Sequence, residues 1–231
     1  MPLLWEKDNV PNPIQRYVEW KWSDTTWYFA YRDKEKKQDI RYTMSDFIIV
    51  AIGYKVGWFN KQKECWIYSN EVDSLFKDKF VVKYFDKGEE IAVGKYSEIK
   101  DKIKAAQGKL MIAVTALAND ELIQFTLKGE AFFIFSTLLK NIDRNKSKIK
   151  FTGKDLKKSP VWNYYLPKFE LWEDFTGTSD ESKALDYAAQ IKEYRSFNKS
   201  RYDENIKLVE EEQDEVDKIL NDDDDDDDLP F

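Results

Sequence analysis

Of the 36 Phe, Trp and Tyr residues in this chain, 35 lie before residue 203, so any hydrophobic core must be built from that part. The one exception is Phe231. Charge divides at the same place. Residues 203–228 carry fifteen Asp or Glu against two Lys, a net of −13, which leaves +6 on residues 1–202 within the whole-chain −7. The protein is therefore a mildly basic, ring-rich body followed by a strongly acidic segment. A net-acidic chain taken whole argues against a nucleic-acid partner, whereas this partition leaves room for a positive groove on the body.

A length of 231 residues suffices for one large domain or a core domain with appendages. Cys65 is the single cysteine and histidine is absent. Disulfide scaffolding, the common zinc-finger patterns and His-dependent acid–base chemistry thus lose their usual support, and no cofactor is implied. No apolar run approaches the roughly 18 residues of a membrane span. The opening Met1-Pro2-Leu3-Leu4-Trp5 soon meets Glu6 and Asp8 instead of entering a signal-peptide core. These features predict a cytoplasmic protein with no membrane partner, in the host cell if it is viral.

Residues 1–23 place Pro2, Pro11 and Pro13 among Trp5, Tyr17, Trp20 and Trp22, which reads as an arm pinned by aromatic contacts and not as a regular element. Strand signals follow at Thr26 to Tyr31, Phe47 to Tyr54 and Cys65 to Tyr68, the last two forming a hairpin over roughly 47–69. Phe80 to Phe85 and Ile91 to Gly94 pair across Asp86-Lys87-Gly88. A short helix is expected over 98–107. Leu110 to Ala116 and Glu121 to Leu127 flank the hairpin turn Asn119-Asp120. Ala131 to Leu139 reads as a short helix, with a buried strand as the alternative. Lys148 to Phe151 and Trp162 to Trp172 are the last strand candidates.

From Ser182 the period changes to helical, with Leu185, Ala188, Ile191 and Tyr194 on one side, suited to cover a sheet edge or to meet a second subunit in a homo-oligomer. A second helical segment carries Ile206, Val209, Gln213, Val216 and Leu220 on a thinner stripe. The expected fold is mainly β with additional helices: a modified OB-fold barrel with its amino-terminal arm over 1–181, a helical extension over 182–220 and a disordered acidic tail over 221–231. A generic β barrel or sandwich fits the same pattern.

Candidate nucleic-acid contacts come from rings interleaved with amines, because rings stack on bases while ammonium groups meet phosphates. The hairpin 47–69 offers Tyr54, Trp58, Trp66 and Tyr68 with Lys55, Lys61 and Lys63. A second patch holds Lys154, Lys157, Lys158, Trp162, Tyr164 and Tyr165, and a weaker third holds Arg16, Trp20, Lys21 and Trp22. None of these spacings separates DNA from RNA.

The acidic segment ends in Asp222, Asp223, Asp224, Asp225, Asp226, Asp227 and Asp228, followed by Leu229, Pro230 and Phe231. Seven adjacent carboxylates repel one another and gain nothing from a core. A mere solubility tail has no need of the Leu-Pro-Phe that follows. This ending resembles that of the single-stranded DNA-binding proteins of bacteria and their phages, in which acidic residues are followed by an apolar residue, Pro and Phe. The resemblance implies a non-catalytic protein that protects single-stranded DNA in replication, recombination or repair. It further implies that proteins of those processes dock on the tail, with the Asp run steering, Leu229 and Pro230 fitting and Phe231 anchoring. The similarity spans about ten residues. The charged helices at 182–220 and the longer, Trp-rich body depart from the common bacterial pattern and look more like a divergent phage protein.

Two other classes compete. Glu89, Glu90, Asp120 and Glu121 would be the carboxylates of a magnesium-dependent nuclease, but no Walker loop, His base or nucleophile motif accompanies them. A scaffold protein using 182–220 for assembly, with no nucleic acid bound, is the stronger competitor.

Overall fold

The computed structural model describes residues 10–21, 28–33, 35–85, 88–158 and 163–222, with backbone alone for Tyr28 and for 201–222. The elements in chain order are β1 Arg16–Lys21, β2 Tyr28–Asp33, β3 Gln38–Tyr42, β4 Asp46–Asn60, β5 Cys65–Ser69, β6 Phe80–Tyr84, β7 Glu90–Gly94, α1 Tyr96–Ala105, β8 Lys109–Ala118, β9 Glu121–Lys128, α2 Glu130–Lys140, β10 Ser147–Lys158, β11 Asn163–Asp174 and α3 Ser179–Asp222. One compact unit comprises Pro11–Ile191. Another combines Met1–Val10 with Lys192–Phe231, and its described part is almost entirely helix.

The described strands make one sheet in the order β3-β2-β1-β9-β8-β4-β5-β6-β7, with β10 joined to β4 and β11 joined to β10. All neighbours are antiparallel except β1 and β9, where Arg16 lies opposite Ile123 and Glu19 opposite Thr126. The expected OB-fold barrel is therefore wrong. A barrel closes when its first and last strands pair, whereas β3 and β7 stand at opposite ends of this path. The 15-residue β4 explains the difference. It keeps β8 along one edge and divides the other, giving Asp46 to Ile48 to β10 and Gly57 to Asn60 to β5. The sheet forks there instead of curling shut. A register shift between Ile49 and Ala51 marks where the strand changes course, as a bulge does.

Each branch has its own core. Under α2, Phe29, Phe47, Phe125, Phe135 and Ile149 are buried, with Phe151 and Phe169 packed against them. Edge-to-face contacts join Phe29 to Phe125 at 5.5 Å and Phe135 to Phe169 at 5.1 Å. Such pairs contribute about 0.5–1.5 kcal/mol beyond area burial. Much of the aromatic excess is thus internal. Against α1, Val56, Ile67, Phe80, Val82, Ile99 and Ile103 form a separate cluster, and Tyr54 touches both cores.

Several local expectations are met. Asn119 and Asp120 adopt φ of 51° and 59°, the paired left-handed residues of a tight hairpin turn. The stretch 131–139 is helical within α2. Helix α1 begins earlier than its apolar spacing suggests, because Glu98 turns back to accept the Lys95 N–H at 2.9 Å and so caps the helix at Lys95. The two helical segments expected after Ser182 are one helix, α3. Strand β1 runs through part of the expected irregular arm, since its pairing partner β9 lies about a hundred residues further on. Among the described residues no helix is long and apolar enough to cross a membrane.

Candidate nucleic-acid interface

Residues directly opposite across a ladder share a face, as do residues two apart on a strand. On this basis two adjacent rows cross the sheet. In the first, Lys55 of β4 lies opposite Met111 of β8, which lies opposite Lys128 of β9. In the second, Gly57 of β4 lies between Lys109 of β8 and Tyr68 of β5, and Tyr68 lies opposite Lys83 of β6. Four lysines and a tyrosine from five strands therefore share one face. A Cβ at Gly57 would come within 2.7 Å of Met111 Cε, so a side chain there would displace the end of that methionine.

Beyond the second row, Trp66 is 56% exposed and Phe85 is 66% exposed. Trp66 meets Phe59 edge to face at 5.5 Å, and Tyr68 meets Phe85 at 5.7 Å. These contacts hold the rings while leaving their surfaces open. Trp58 is different. The Nζ of Lys128 lies 3.7 Å from its ring centroid and that of Lys109 lies 4.0 Å away.

The cations are not equivalent. Lys55 donates to Gln124 Oε1 at 3.2 Å, and the buried Gln124 in turn donates to Glu71 and Thr115. Lys63 is paired with Glu89 at 3.2 Å, a partner that raises its pKa, and its Nζ lies over Tyr84. Lys61 sits at the turn from β4 to β5. Lys109 is lowered by burial and by Lys61. Lys128 is lowered to about 8, first by burial and then by the nearby Lys109 and Lys21, against the opposing pull of Glu19. Tyr54 is half-buried and packs towards Phe132 at 6.3 Å between the two cores.

The second patch lies on the β10–β11 hairpin, where Lys157 pairs with Tyr164 in register. Both are tied to Glu130 at the start of α2, Lys157 at 3.4 Å and the Tyr164 hydroxyl at 2.7 Å. Lys154 lies over Tyr165 at 3.8 Å and Lys150 over the half-exposed Trp172 at 3.6 Å. In the third patch, Arg16 makes a two-pronged pair with Glu121, and Lys21 bonds Glu19 and Asp39. The Trp20 indole packs on Phe29 and Phe151 and donates to the Tyr165 carbonyl. Trp22 and Trp162 lie outside the described residues, as do Asp223 to Phe231, while Asp222 is the last residue of α3.

Sequence reasoning passed over Lys83, Lys109, Lys128 and Phe85. Lys109 and Lys128 bound the β8–β9 hairpin, but only the register of the ladder reveals that they join Lys55. The carboxylates of the nuclease alternative are spread among separate ion pairs: Glu121 with Arg16, Asp120 with Lys183 and Glu89 with Lys63. No family model, curated protein or solved structure matches this chain.

Proposed function

We propose that this protein binds single-stranded DNA along the face that carries the two lysine rows, and that its acidic carboxyl-terminal segment engages proteins of replication, recombination or repair. The observation that carries this reading is the combination, on one face, of Lys55, Lys83, Lys109 and Lys128 with the open rings of Trp66, Tyr68 and Phe85. A charged track with exposed rings suits a flexible strand whose bases are free to stack, and suits a duplex poorly because its bases are already stacked. The net of +6 on residues 1–202 agrees in sign. The preference for DNA over RNA rests on the resemblance of the Asp run and Leu229-Pro230-Phe231 to the tails of single-stranded DNA-binding proteins. The role is binding and protection, without catalysis.

The test is a titration of the intact protein with mixed-sequence single strands and the matched duplex at several salt concentrations, followed by Trp fluorescence. Single-strand preference, little sequence dependence, a clear salt slope and quenching are expected. Absence of single-strand binding at low salt, with the tail removed as well, overturns the reading.

A further inference from the structure

We propose that Lys109 and Lys128, set together over the ring of Trp58, grip one phosphodiester group of the bound strand. The inference rests on the single-strand reading above and assigns to it a specific site.

Two ammonium groups within 4.0 Å of one indole centroid is an arrangement that opposes itself. Each cation is attracted by the ring, but each also repels the other. Among the described residues neither Nζ is in an ion pair with a carboxylate, in contrast to Lys63 with Glu89, Lys157 with Glu130 and Lys21 with Asp39. The surroundings add to the imbalance. Lys61 acts on Lys109 from the β4–β5 turn, and Lys21 acts on Lys128 from β1, with Glu19 the one opposing charge identified there. Partial burial weakens the hydration that would otherwise screen Lys128. A phosphodiester whose oxygens reach both ammonium groups turns this repulsion into two attractions. The indole restricts where the ammonium groups rest, so less freedom is lost on binding. A phosphodiester is the fitting anion, because it stays charged across the working range and recurs along a strand whose bases reach the neighbouring Trp66 and Tyr68.

The protonation of Lys128 couples to the same event. A phosphate favours the charged amine, so binding above about pH 8 takes up a proton and weakens as pH rises. The groups facing Lys128 are Glu19 and Lys21 from β1 and Lys109 from β8.

The experiment measures oligothymidylate affinity against salt for the intact protein, Lys109→Gln, Lys128→Gln, the double substitution and Lys128→Arg. Each single Gln substitution is expected to weaken low-salt binding about tenfold. The double substitution should lower the salt slope by about 0.7, the value of one phosphate contact on a single strand. A loss of about 1.4 means two separate phosphates and overturns the shared grip. Unchanged affinity in a folded double variant overturns the site while leaving the single-strand reading intact. A parent protein that binds no single strand overturns both. Between about pH 7 and about pH 9 the parent's affinity should fall more steeply than that of Lys128→Arg, since a guanidinium does not titrate there. Parallel pH profiles for the two also count against the site.

Discussion

Lys128 carries an energetic cost in the free protein that its sequence context does not announce. Its pKa is lowered from 10.5 to about 8, so below about pH 8 both folded and unfolded chains hold the proton and the folded state bears the full cost of a partly buried ammonium. Between about 8 and 10.5 the unfolded chain binds more protons, and stability rises with pH until the cost is gone. Lys128→Met keeps the apolar stem and removes the charge. It should raise stability at neutral pH, with an advantage that shrinks towards pH 10.5, as read by urea unfolding at a series of pH values. A variant no more stable than the parent at pH 7 contradicts this account. Rings separate in the same way by environment. Trp66→Ala should weaken single-strand binding by about 1–3 kcal/mol with little change in melting temperature, because its ring is largely exposed. Phe125→Ala, at 0% exposure among four aromatic neighbours, should instead cost about 3–5 kcal/mol of stability. Both effects are separable by measuring unfolding beside affinity.

Strand β4 is the element on which the fold turns, because it supplies residues to both cores and to the lysine rows. Its Gly53 lies against the side chain of Glu71, which a Cβ there would push aside. Glu71 accepts from the buried Gln124, whose carbonyl oxygen accepts from Lys55. Gly53→Ala should displace Glu71, leave the Gln124 amide poorly satisfied and destabilise the protein by about 1–3 kcal/mol. Replacing Glu71 by Ala in that background should cost little more, since the two changes act on one network. Additive losses in denaturant unfolding would show that the network is not the cause.

At the scale of the whole chain, the proposed function sets the acidic segment in competition with the bound strand for the basic body, since both are anionic. Removing residues 222–231 should strengthen single-strand binding at low salt, and the gain should fade as added salt screens the field. Removing Phe231 alone should leave DNA affinity nearly unchanged while abolishing partner capture; equal capture by both proteins would show that this ring is not an anchor. Much of the element pattern was legible beforehand, because alternation at 110–116 and 121–127, the Asn119-Asp120 turn and the apolar stretch at 131–139 are local signals. The candidate hairpin 47–69 was legible for the same reason. The path of the sheet was not. A parallel pairing of 16–19 with 123–126 leaves no local trace, and nothing within 46–60 shows that one strand edge is divided between two partners. By itself the sequence determined where a core can lie, which stretches favour strand or helix, and how charge divides at residue 203, since these follow from composition and short-range periodicity. Only the tertiary structure decided that the sheet stays open and that Lys109 and Lys128 meet over Trp58, because register between distant strands places side chains by geometry that no sequence spacing encodes.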